Sequence, residues 1–131
     1  MAGGLRSAVL CCAVLAACTP QTSPQTTTKG PVRYLGVETK LLEDDLVNFV
    51  VKLEEAVPFQ ASDYARCAAA QYAQIRGYGF ARHVRTQVSN DTGILIGDAI
   101  YTISPTLPAG VRIIDAQEVL KECKSEGIPT V

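Results

Sequence analysis

The chain has 131 residues, 12 Lys+Arg against 13 Asp+Glu, and 47% hydrophobic residues. That length accommodates one domain, since domains typically run to about 100–150 residues. A net charge of −1 gives no general attraction to nucleic acid or anionic lipid, and 19% charged residues among many aliphatic ones exclude disorder throughout.

Residues 1–17 read as a secretory signal peptide. Arg6 and no acid precede a charge-free run, Ser7 to Ala17, that ends in small residues. The run is too short to span a bilayer, which needs about 20 residues. A buried core helix would end in a turn or cap, whereas this run meets a polar Thr/Pro-rich stretch directly. At the exit, Leu15-Ala16-Ala17-Cys18 resembles the lipobox of bacterial lipoproteins, which is Leu, two small residues and then Cys. The resemblance implies cleavage before Cys18, a diacylglyceryl thioether on its sulfur and acylation of its new amine. Such chains hold a protein at the membrane durably, at about 0.8 kcal/mol per buried CH₂. In that family an Asp after the lipidated Cys tends to retain the protein at the inner membrane. Thr19 stands there, so the implied location is the periplasmic face of the outer membrane. An ordinary cleaved signal with a free Cys18 is the competing reading.

Residues 18–31 then form a lipidated Cys followed by a tether. The stretch 19–31 has three prolines and no aliphatic or aromatic side chain, so it has nothing to bury. A flexible tether of that length spans roughly 20 Å. The folded part is residues 32–131.

Val32–Leu42 and Leu46–Glu54 alternate in hydropathy with period two, the second with Val47, Phe49, Val51 and Leu53 on one parity. With Glu43-Asp44-Asp45 as a turn between them, they predict a β-hairpin. Ser62 has the form of an N-cap for a helix to Arg76, stopped by Gly77. Tyr64, Ala68, Tyr72 and Ile75 make its apolar stripe, with Cys67 at the border. Tyr78–Val88 predicts a third strand, with Phe80, Arg82, Val84 and Val88 on one parity and His83, Arg85 and Gln87 on the other. Ser89-Asn90-Asp91-Thr92-Gly93 is a turn cluster, and Ile94–Ser104, apolar on both parities, predicts a central or doubly covered strand. Pro105, Pro108 and Gly110 break the chain. Asp115 and Glu118 form a capping box for a second helix, with Ala116, Val119, Leu120 and Cys123 as its stripe and Gly127 as its stop.

The order ββαββα predicts an α+β domain: a four-stranded, largely antiparallel sheet with two helices on one face. The segment Gly77-Tyr78-Gly79-Phe80-Ala81-Arg82 after a Cys/Ala-rich helix resembles a group of small uncharacterised proteobacterial lipoproteins. That resemblance implies no particular activity.

Cys67 and Cys123 are the two thiols left once the signal and Cys18 are set aside. Each lies on the stripe of its own helix, and an even number in an oxidising periplasm favours a disulfide worth about 4 kcal/mol. Two unpaired buried thiols are the alternative. No Cys-x-x-Cys pair or Gly-x-Ser-x-Gly occurs, and His83 is the only histidine, too few for a zinc site. Glu43-Asp44-Asp45 lacks the spacing of a calcium loop, so neither metal nor cofactor is expected. The most unusual stretch is basic: Arg76, Tyr78, Arg82, His83 and Arg85 fall within ten residues. They could bind a small anion or peptide, or the arginines could pair with Glu38, Glu54 or Glu55. Parity places Arg82 inward and His83 and Arg85 toward water. The expectation is a non-enzymatic lipoprotein of the envelope, held at the membrane through Cys18 and contacting another envelope protein. A small-ligand binding module is the alternative, and an unrecognised enzyme ranks below it.

Overall fold

The structure is a computed structural model that describes residues 3–4 and 30–130. Cys18, nearly all of the expected signal segment and all but the end of the expected tether lie outside the described residues. The elements, in chain order, are β1 (Arg33–Leu41), β2 (Leu46–Glu54), α1 (Pro58–Ile75), β3 (Phe80–Asp91), β4 (Ile94–Ser104), β5 (Ile113–Asp115) and α2 (Ala116–Ser125). The fold is α+β, with five strands where the sequence predicts four. They form one antiparallel sheet in the order β1-β2-β4-β3-β5. The unexpected strand, β5, is three residues long, too short for alternation to mark it, and pairs with the start of β3.

Local chemistry explains the boundaries. The helix α1 starts at Pro58, four residues before the expected cap at Ser62, because Pro pre-sets the first helical φ and lacks the donor that position wastes. The Val57 N–H is then taken up by Gln60 Oε1 at 2.9 Å. Both helices end alike. Gly77 and Gly127 adopt left-handed φ of 75° and 70°, and the N–H groups of Tyr78 and Ile128 reach back to the carbonyls of Ala73 and Cys123. The N-cap residue of α2 is the expected Asp115, whose Oδ1 accepts from the N–H groups of Gln117 and Glu118; the return bond from Glu118 that would complete a capping box is not formed.

One face of the sheet is covered by both helices. Val47, Phe49, Val51 and Leu53 of β2 are fully buried there, joined by Leu95, Ala99, Tyr101 and Ile103 of β4. The helix α1 meets them with alanines, Ala61, Ala65, Ala69 and Ala73, and so lies close. Between the helices, Cys67 and Cys123 form a buried disulfide with Sγ–Sγ 2.02 Å and Cα–Cα 6.1 Å. The strand β4 is central, as expected, but its second face is not covered: Ile94, Ile96 and Ile100 remain half-buried on the open side. Among the described residues no helix is long and apolar enough to cross a membrane.

Candidate functional site

The pairing of β3 corrects the parity expected for its basic residues. Ala81 sits opposite Ile103 and Ile114 and is fully buried beneath the helices. Arg82, one residue on, therefore points to the open face. Its chain runs past Gly110, where a Cβ would stand 3.5 Å from Arg82 Cδ. The small apolar side chain takes the covered position because burying a guanidinium there would cost several kcal/mol. His83 follows Ala81 onto the covered side, opposite Tyr101. It does not face water as parity predicts.

A β-bulge then changes the phase of the strand. His83 pairs with Tyr101 and Arg85 with Ile100, which leaves Val84 as the extra residue. Arg85 consequently stays on the open face, where its guanidinium lies 3.8 Å from Asp98. Asp98 also accepts a 2.8 Å hydrogen bond from Asn48. Thr86, three residues after His83, returns to the covered side, and its Oγ1 lies 2.8 Å from His83 Nε2. Without the bulge that hydroxyl would project from the other face.

The five basic-segment candidates thus occupy three separate places. Arg76 closes the end of α1, donating to the Tyr72 hydroxyl at 2.8 Å and lying over the rings of Tyr72 and Tyr78. Arg82 and Arg85 lie on the open sheet face. The expected carboxylate partners differ as well, since Glu54 pairs with Arg33 at 2.7 Å. Only His83 enters a cleft that gathers other chemistry.

That cleft, about 470 Å³, lies between the first half of α1, β3 and the approach to β5. Tyr101 forms its floor and meets the His83 ring edge-on, centroids 5.1 Å apart. Burial pushes the Tyr101 phenol up to about 12, Arg66 works against that rise and Asp63 adds to it. The hydroxyl therefore keeps its proton at neutral pH. Burial also holds the His83 imidazole below its ordinary value, the Arg112 guanidinium lowers it further, and a hydrogen bond with the Arg85 backbone opposes both. The Arg112 carbonyl accepts the His83 N–H at 3.0 Å, and Arg112 itself holds a φ of 60°. An L-residue in that left-handed region is uncommon and is held there by its surroundings. From α1, Asp63 and Arg66 complete the charged wall, with Arg66 tied to Glu122 of α2 at 2.7 Å.

Sequence reading missed Asp63, Arg66, Tyr101 and Arg112. The signal that marks Arg112 is the short run Val111-Arg112-Ile113-Ile114, set between Gly110 and the Asp115 cap. Among the described residues no three His, Cys, Asp or Glu side chains converge as a metal site would require.

The comparisons with known proteins concern the folded part. An uncharacterised 26.9 kDa protein of the nqo8 5′ region of Paracoccus denitrificans is 34% identical over 87 residues. The aligned stretch is 66% of this chain and 34% of that protein, so the match spans about a third of the curated relative. No solved structure matches. The family model of the YNQ4 C-terminal domain matches residues 34–127, from β1 to the glycine that ends α2, and the chain belongs to that family.

Proposed function

We propose that this chain is an exported lipoprotein, anchored by acyl chains on Cys18, whose folded domain is a non-enzymatic binding module of the cell envelope. The observation that carries the reading is the buried Cys67–Cys123 disulfide. Structural disulfides persist in oxidising compartments and are rare in the cytosol. The lipobox-like Leu15-Ala16-Ala17-Cys18 supplies the anchor, and Thr19 after it favours the outer membrane. The open cleft beside His83 supports a binding role, because it offers charges and hydroxyls along a partly apolar floor. The partner is another envelope component; a small solute is the second reading, favoured by that cleft.

Metabolic labelling with palmitate tests the anchor. Label should enter the wild-type chain and not the Cys18→Ser variant, and equal labelling of both would sink the proposal. Non-reducing peptide mapping of the chain from envelope fractions should recover the Cys67 and Cys123 peptides joined. Recovery of both thiols free to alkylation would place the protein in a reducing compartment.

A further inference from the structure

Three charged side chains, Asp63, Arg66 and Arg112, line the cleft beside His83, and one of them is neutralised from outside it. Arg66 is matched by Glu122. Asp63 and Arg112 line the same cleft, yet among the described residues neither side chain makes an ion pair or a hydrogen bond. They stand on different walls, Asp63 in the second turn of α1 and Arg112 on the residue before β5. Asp63 is half-buried in the cleft wall and Arg112 is exposed at its rim, so both charges are open to a solute entering from water. Asp63 rises from a helix and Arg112 from a residue of left-handed φ, and among the described residues no ion pair joins them.

This arrangement selects by charge. The Arg66–Glu122 pair contributes no net charge, and a neutral His83 adds none. A simple anion drawn to Arg112 would share the cleft with Asp63, and a simple cation drawn to Asp63 would share it with Arg112. A solute carrying both charges satisfies both walls. We infer that the cleft binds a small zwitterion of the amino-acid or dipeptide class, its carboxylate on Arg112 and its ammonium on Asp63. The volume, about 470 Å³, lies in the range of small-molecule sites and exceeds what a glycine-sized solute would fill. Ile114 and the Tyr101 ring give apolar surface for one bulky side chain. The Thr86 hydroxyl, beside His83 Nε2, and the protonated Tyr101 hydroxyl are donors within the same cleft.

The inference rests on reading the domain as a binding module and is independent of the lipid anchor, so its failure would leave the palmitate experiment untouched. The single histidine is the reporter. Imidazole NMR signals of the oxidised full chain, in detergent, are followed while Ala-Phe dipeptide is added. Two blocked probes are titrated in parallel: N-acetyl-Ala-Phe, which lacks the ammonium, and Ala-Phe amide, which lacks the carboxylate. Free Ala-Phe should shift the His83 signals saturably, and each blocked probe should bind at least about tenfold more weakly. Saturation should also raise the His83 titration midpoint, because the bound carboxylate offsets the Arg112 charge. The groups facing the ring across the cleft are Arg112, Tyr101, Asp63 and Arg66 with Glu122 behind it; of these only Arg112 is assigned to the carboxylate.

The variants separate the two contacts. Arg112→Gln should lose Ala-Phe binding, while Asp63→Asn should weaken it until free and N-acetylated dipeptides bind alike. Because the probe series is read on the wild-type chain, a variant that fails to fold does not remove the test. No saturable shift with any probe up to about 10 mM, the limit of weak recognition, would overturn the inference. So would blocked probes binding as tightly as the free dipeptide.

Discussion

The two faces of the sheet use the same strands and treat their side chains in opposite ways. On the covered face β2 and β4 present aliphatic and aromatic groups that are shut off from water beneath α1, with α2 packed beside it against α1 and β5. On the open face the same strands alternate half-buried Val50, Ile96 and Ile100 with Asn48, Lys52 and Asp98. What differs is that a helix lies above one face and not the other. Alternation along a strand says that two faces exist; it does not say which one a helix will cover. The strand β4 shows this directly, since its isoleucines make both parities apolar while only one parity meets α1.

The covered face owes its stability to closure from above, and the disulfide is the part of that closure most easily removed. It joins two helices across a sequence separation of 56. Loop-closure entropy for that span gives about 4 kcal/mol, a large share of the roughly 5–15 kcal/mol that holds a typical domain. The Cys67→Ala, Cys123→Ala double variant should therefore lose about 4 kcal/mol in chemical denaturation, or fail to fold at 37 °C. A loss below about 1 kcal/mol would mean that helix packing alone closes the face, and that the bridge serves another purpose.

Spacing between α1 and the sheet gives the second test. Gly97 of β4 lies on the covered face, paired with Val51 and Val88. A Cβ built there would stand 2.8 Å from Val51 Cγ2 and 3.1 Å from Ala61 Cβ. The missing side chain at Gly97 is thus what lets an alanine-faced helix approach so near. Gly97→Ala should cost about 1–3 kcal/mol despite the better strand propensity of the new residue, because a full core has no room for a methyl. Equilibrium denaturation measures it. A neutral result would show that α1 can ride up at no cost, and the contrast between a tightly closed face and an open one would then soften.

Much of this organisation was legible in the residues. Gly77 and Gly127 marked both helix ends, Asp115 marked a cap, and Cys67 and Cys123 lay on stripes that now face each other. The misreadings have physical causes. Val57-Pro58 begins α1 through a constrained φ rather than a capping hydroxyl, so Ser62 looked like the start although it lies within the helix. Ile113–Asp115 is too short to alternate, and its strand character comes from pairing with Phe80–Arg82. The bulge at Val84 was the costliest to miss. One inserted residue reverses which face every later side chain meets, and Phe80, Val84 and Val88 imitated a continuous apolar stripe. The cleft residues Asp63, Tyr101 and Arg112 lie far apart in the chain and are assembled only by the sheet order and the helix above it.

The smallest expected effect tests the face assignment itself. Parity alone would bury Arg82 and demand an internal partner for it, so that Arg82→Ala would lose about 1–3 kcal/mol while Arg85→Ala lost almost nothing. The observed register removes that asymmetry. Both arginines project from the open face, Arg82 half-buried along Gly110 and Arg85 at 3.8 Å from a half-exposed Asp98. An exposed pair of that length contributes little after side-chain entropy and screening, and an arginine stem laid along a loop contributes a modest amount of packing. Each single alanine variant should therefore stay within about 0.5 kcal/mol of wild type in chemical denaturation. Raising the salt concentration should change the Arg85→Ala difference and leave that of Arg82→Ala in place, since only the first involves an opposite charge. A selective loss of 1 kcal/mol or more at Arg82, on the order of a buried unpaired group, would put its guanidinium back beneath the helices. It would also displace His83 from the cleft, because the two neighbours cannot share a face of an unbroken strand.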